Sequence, residues 1–165
     1  MHEAIAKIRF TLPVLGNTKD ASGRFLLPRD ADGRLIFLPS WHQANLRMAS
    51  RALGRFRREV EKLRWDLPVR CDVASLRWQK RYVDEFRYAT HETIPVGTTV
   101  GLVCLLPRGL DFAQLAELLV VAGKYRGLSP FHPGEYGLFT VQEVTHYVPE
   151  FDDVVGLATG NALTK

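Results

Sequence analysis

The chain opens on alternation. Ile8, Phe10, Leu12 and Val14 alternate with Arg9, Thr11 and Pro13, the period of two of a strand with one buried face, so a first strand is predicted over residues 5–15 with its proline end at an edge. A loop runs from Gly16-Asn17 through Ser22-Gly23. The short apolar runs Arg24–Leu27 and Leu35–Leu38 flank Asp30-Ala31-Asp32-Gly33, a strong turn signal, and predict a hairpin or a folded-over insertion. After Pro39-Ser40 the period lengthens. At roughly 100° per residue, Trp41, Met48, Ala49, Ala52, Phe56, Val60 and Leu63 share one broad face, whereas Arg47, Arg51, Arg55, Arg58 and Lys62 fall within about 80° of one another on a different face. The pattern predicts one long helix, opened by a capping box of Ser40 and Gln43 and closed by Asp66-Leu67-Pro68.

Residues 69–80 are irregular and basic, and alternation resumes from Tyr82 to His91, a second strand. Thr98 to Leu106 is mostly apolar and predicts a central strand. Asp111 caps a second helix, Phe112 to Ala122, with Gly123 as its C-cap; Gly137 to Val144 is a last strand. The order is β-α-β-β-α-β: an α+β fold of ferredoxin-like type, a four-stranded antiparallel sheet carrying two helices on one face, with short insertions. Its other face would be free to meet a ligand, as in many single-stranded RNA binders. The expected organisation is a single domain over residues 1–146, with insertions at 16–38 and 66–80, followed by a peripheral tail at 147–165.

Composition narrows the class. At 165 residues and 46% hydrophobic content the chain suits one globular domain, and no apolar run is long enough for a membrane span. The segment Met1-His2-Glu3-Ala4-Ile5 lacks the features of a signal peptide, so a cytoplasmic protein is expected. Cys71 and Cys104 are far apart and share no metal-binding or redox spacing; Cys104 is expected in the core. The net charge of +4 is a weak pointer to a polyanion. Its distribution is stronger: from Arg47 to Arg81 basic residues outnumber acidic ones eleven to four.

Guanidinium groups spaced i, i+4 along a helix lie about 6 Å apart, near the phosphate spacing of an extended single strand. Arg47, Arg51, Arg55, Arg58 and Lys62 are therefore candidate phosphate contacts, and the alternative reading is a solvated helix face. Gly123-Lys124-Tyr125-Arg126-Gly127 follows a helix instead of preceding one, so it is no P-loop, but Lys124 and Arg126 are candidate contacts beside a backbone that can approach closely. Among the aromatics, Trp78 lies between Arg77 and Lys80 and is the best base-stacking candidate, while Trp41 is expected in the core. No spacing joins the histidines as metal ligands or as an acid–base pair, and no cofactor is implied.

Three segments resemble the RAMP superfamily of CRISPR systems, most closely the subunits that form the effector backbone along guide RNA. The first is Asp30-Ala31-Asp32-Gly33-Arg34 with Leu38-Pro39-Ser40 and Asn45-Leu46-Arg47. The second is Glu92-Thr93-Ile94-Pro95-Val96-Gly97-Thr98. The third runs from Leu118-Leu119 to Phe139. RNA-cleaving members carry an aspartate a few residues before the acidic turn; the nearest positions here are Arg24 and Asp20. The resemblance implies a non-catalytic subunit that binds single-stranded guide RNA within an antiviral-defence ribonucleoprotein and assembles with copies of itself or with other CRISPR subunits. Two further functions are compatible with it. One is an interaction protein, phage-borne, that docks on a CRISPR complex and competes with a subunit. The other is a metal-independent guide-processing ribonuclease, for which His42 and His132 are the weak catalytic candidates.

Overall fold

The computed structural model describes residues 2–129 and 134–148. In chain order the elements are β1 (His2–Phe10), β2 (Val14–Leu15), β3 (Thr18–Lys19), β4 (Phe25–Leu26), α1 (Pro39–Leu53), α2 (Arg57–Lys62), β5 (Arg64–Trp65), β6 (Arg77–Tyr82), β7 (Tyr88–Ile94), β8 (Thr99–Leu106), α3 (Phe112–Tyr125) and β9 (Phe139–His146). They make an α+β fold with two sheets. The first is antiparallel throughout, in the order β5-β8-β1-β9. The second is centred on β7, which pairs with β6 on one side and with β2 and β4 on the other.

The period of two places the core. Ala4, Ala6, Ile8 and Phe10 of β1 share one face with Val100, Leu102, Cys104 and Leu106 of β8, all buried. Onto that face pack Trp41, Leu46 and Ala49 of α1 and Leu115, Leu118, Leu119 and Ala122 of α3. The Phe10 ring meets Phe37 and Phe139 edge-on, with both centroids 6.2 Å away; each such pair contributes about 0.5–1.5 kcal/mol beyond burial. Cys104 and Trp41 lie in this core, as the sequence predicts. Among the described residues no helix is long and apolar enough to cross a membrane.

Four expectations need correction. The long helix is two helices. Gly54 takes the left-handed conformation at φ 67° and closes α1 with a Schellman pair, Gly54 N–H to Arg51 O and Arg55 N–H to Ser50 O. Phe56, also at φ 67°, then starts α2 in a new direction. The predicted capping box at Ser40 does not form: the N-cap is Leu38, with Pro39 in the first turn, where its missing N–H costs nothing. By contrast, Asp111 and Gln114 do form a reciprocal capping box at α3.

The strand predicted at Tyr82 to His91 is a hairpin. Asp84 accepts the N–H groups of Phe86 and Arg87, and this turn separates β6 from β7. The second strand of the first sheet is instead the short β5, extended by the Asp66 N–H bond to Val103 O and by bridges between Arg70 and Gly101. Gly123 is not a helix cap. It lies inside α3, where a Cβ would come 2.4 Å from the carbonyl oxygen of Phe139 on β9. The left-handed residue after α3 is Gly127, at φ 74°.

The second face of the first sheet is partly covered. Ile5 and Val103 form a small buried cluster there with Tyr147, and Arg70 donates to the Tyr147 hydroxyl at 2.8 Å. Of the segment predicted as a peripheral tail, all but Tyr147 and Val148 lies outside the described residues.

Candidate nucleic-acid interface

The break between α1 and α2 reorganises the predicted arginine row. α2 folds back along the end of α1, so Arg47, Ser50, Arg51, Arg57 and Glu61 line one cleft of about 430 Å³. Arg47 donates Nε–H to Glu61 Oε1 at 2.6 Å and Nη2–H to Oε2 at 2.9 Å, the two-pronged geometry of a strong guanidinium–carboxylate pair. The hydrogen bond from Arg47 holds the Glu61 carboxyl below its ordinary range, and the Arg57 charge adds to this. The pair is nonetheless open to water, with Arg47 and Glu61 side chains 51% and 46% exposed. Arg51 and Arg57 line the same cleft with no ion pair among the described residues.

The other predicted contacts are distributed. Arg55 turns away from the cleft: its guanidinium lies 3.5 Å from Glu117 on α3 and 4.5 Å from the Phe56 ring centroid. Arg58 and Lys62 are exposed on α2. Lys124 is exposed at the end of α3, its ammonium 5.3 Å from the Tyr125 ring; Arg126 is half-buried. The loop that follows is tied to α1 by buried Asn45, whose Nδ2–H donates to Gly127 O at 2.9 Å. Asn45 and Arg55 thus mark the two ends along which α1 runs antiparallel to α3.

Trp78 stands apart, on β6 in the second sheet. It is half exposed, with the Arg24 guanidinium 4.4 Å above its ring. The hairpin of β6 and β7 carries more of the same chemistry than the sequence singles out. Tyr82, Phe86 and Tyr88 are exposed, Phe86 at 88%, and Lys80 sits 4.5 Å from the Tyr88 ring. The clue in the sequence is the interleaving of Arg77, Lys80, Arg81 and Arg87 with aromatics from Trp78 to Tyr88. The hairpin is anchored at its base. His91 on β7 is fully buried, stacked on Phe25, with Nδ1 2.6 Å from Gly16 O; Arg81 donates to its Nε2 at 3.2 Å. Because Nε2 accepts, Nδ1 carries the proton. Burial, more than the neighbouring Arg81, pushes the His91 pKa down.

The motif beginning at Glu92 has a mechanical role. Glu92 receives both Nη groups of Arg29, at 2.6 and 2.7 Å, and the Leu27 N–H at 3.0 Å, which clamps the insertion onto β7. Gly97, at φ 90°, then turns the chain into β8 while its N–H bonds Phe10 O.

Of the two histidines weighed for catalysis, His42 is 2% exposed, its ring stacked on Trp65 at 4.5 Å with 7° between planes. Its Nε2 is buried without a hydrogen-bond partner, and burial lowers its pKa from 6.5 to about 3. His132 lies outside the described residues. Among the described residues no cluster of His, Cys, Asp or Glu could hold a metal ion.

No family model matches this chain, and no curated protein does. Solved structures do match in fold. A chain of a Type IV-B CRISPR complex superposes with a TM-score of 0.56 at 14% identity, covering 87% of this chain and 90% of that one. A chain of the Type III-B Cmr-beta complex, in its cryo-EM structure bound to cognate target RNA, gives a TM-score of 0.56 at 13% identity, covering 87% of this chain and 60% of that one.

Proposed function

We propose that this chain is a non-catalytic, RAMP-like subunit of a CRISPR-type ribonucleoprotein that binds single-stranded RNA. The observation that carries the reading is the cationic cleft at the α1–α2 junction, on a chain whose fold is that of subunits in CRISPR complexes. The sheet order β5-β8-β1-β9 supports a ferredoxin-like reading, since from the β9 edge it follows the 4-1-3-2 order of that fold, with the second sheet as an elaboration on it. Arg51, Arg58 and Lys62 hold phosphates, with Arg47 within reach of the same strand, whereas Arg55, turned toward Glu117, lies to its side. Lys124 and Arg126 supply a second anchor, and Trp78 stacks a base. The partners are guide RNA and neighbouring subunits, including further copies of this chain. No cofactor enters this function.

The test is binding of a fluorescein-labelled oligouridylate, followed by anisotropy across a salt series. Replacing Arg51 and Arg58 together by glutamate is expected to abolish two phosphate contacts, flattening the dependence of log K on log [salt] by about 1.4. The melting temperature should hardly move, since neither side chain has an ion-pair partner among the described residues. Unchanged affinity and slope would remove the interface from the proposal. Capture by a CRISPR complex with no RNA binding of its own would favour an interaction protein that competes with a subunit.

A further inference from the structure

The fold of the α1–α2 junction places an acid in the middle of the cationic cleft. Glu61 occupies both prongs of the Arg47 guanidinium. A phosphodiester presents two non-bridging oxygens to an arginine in the same planar, two-pronged way, so a carboxylate and a phosphate compete for one fork. Arg51 and Arg57 line the same cleft as this pair, and the Arg57 charge acts on Glu61. Both members of the Arg47–Glu61 pair are about half exposed, so separating them requires little change in solvation.

We propose that Glu61 is a built-in competitor for polynucleotide phosphate at this cleft. It holds Arg47 in reserve. A phosphate arriving between Arg51 and Arg57 displaces the carboxylate and takes over the Arg47 fork. The exchange trades one anion for another at Arg47, and the net gain comes from the flanking arginines and from counterions released by the strand. The device sets a threshold: an isolated anion gains little, whereas a phosphate within a chain that also reaches Arg51 and Arg57 does. The inference rests on the RNA-binding reading above.

The experiment uses the full chain, the same labelled oligouridylate, and the variants Glu61→Gln, Arg47→Gln and the double variant, each checked for folding by its urea midpoint. In the parent the phosphate contact at Arg47 is offset by the ion pair it breaks, which frees the Glu61 carboxylate to hold a cation; in Glu61→Gln the contact is no longer offset, so the salt slope steepens by about 0.7. With curves converging near 1 M salt, that slope makes binding about eightfold tighter at 50 mM. Arg47→Gln removes the contested fork and weakens binding, and in that background Glu61→Gln brings no gain. If Glu61→Gln tightens binding equally in the Arg47→Gln background, the effect is one of net charge and the proposal falls. It falls also if the parent binds and Glu61→Gln leaves affinity and slope unchanged or weakens them; in these cases the RNA-binding reading stands. If neither the parent nor any folded variant binds, the RNA-binding reading itself has failed and takes this inference with it.

Discussion

Replacing His42 by phenylalanine tests the buried stack behind the cationic cleft. His42 lies flat on Trp65 at 4.5 Å, close to Phe37, and its Nε2 has no partner. Phenylalanine keeps the ring stack and removes the orphaned nitrogen, a gain of about 1–3 kcal/mol. The larger ring strains a packed core by a similar amount, so stability near pH 7 changes little. The pH dependence is the decisive quantity. In the unfolded chain His42 takes up a proton as the pH falls below 6.5, whereas in the fold it stays neutral down to about 3. The unfolded state therefore binds more protons throughout that window, and stability falls with falling pH by about 1.4 kcal/mol per unit. Between pH 6.5 and pH 4.5 the parent should lose about 2.3 kcal/mol that the variant keeps. Urea denaturation at half-unit pH steps, followed by tryptophan fluorescence, measures this. The carboxylates that weaken at lower pH, such as Asp20 and Asp30, are common to both proteins and cancel in the difference. Parallel stability curves for parent and variant would refute the placement of His42 as a neutral, desolvated ring.

Three further outcomes follow from the geometry. Gly123→Ala gains about 1 kcal/mol of helix propensity, but its Cβ would lie 2.4 Å from the Phe139 carbonyl and 2.6 Å from its ring. Because β9 must move, a net loss of about 2 kcal/mol is expected in thermal unfolding. Glu92→Gln keeps an acceptor for the Leu27 N–H and loses the ionic clamp on Arg29; with Glu92 12% and Arg29 33% exposed, denaturant titration should show a loss of about 1–2 kcal/mol, between the values of exposed and buried pairs. Trp78→Ala should weaken oligouridylate binding by about 1–3 kcal/mol with the salt slope unchanged, since stacking releases no counterions.

The parts of the fold that were legible are those with long, uninterrupted periods. β1 and α3 each bury one regular face, β8 is an unbroken apolar run buried on both faces, and a true cap at Asp111 marks where α3 starts. β5 was not legible, because a two-residue strand carries no period; it is defined by its pairing with β8 across the sheet. The turn between β6 and β7 was read as strand because Tyr82, Asp84, Phe86 and Tyr88 keep alternating through it without glycine or proline, while most of β6 fell in the segment 69–80 read as irregular. At the candidate interface the arginines were legible as residues but not as an arrangement. Gly54 offered a local signal for the helix break, but left-handed Phe56 did not: an aromatic residue seldom adopts that conformation, and only its packing in the folded protein holds it there. The acids that partner Arg47 and Arg55 come from other helices, so no spacing along one helix could reveal them.

Under the proposed function, the paired left-handed residues Gly54 and Phe56 have a consequence for how a flexible polymer would be gripped. Two backbone settings of that kind, one residue apart, leave the corner between the helices one geometry, not a range, so the charges on either limb keep a constant separation and act as a gauge. A strand whose phosphates match that gauge meets its contacts already in position, and one that does not must bend to comply. Loosening the corner with glycine at Phe56 would leave every charge in place and yet erase the gauge.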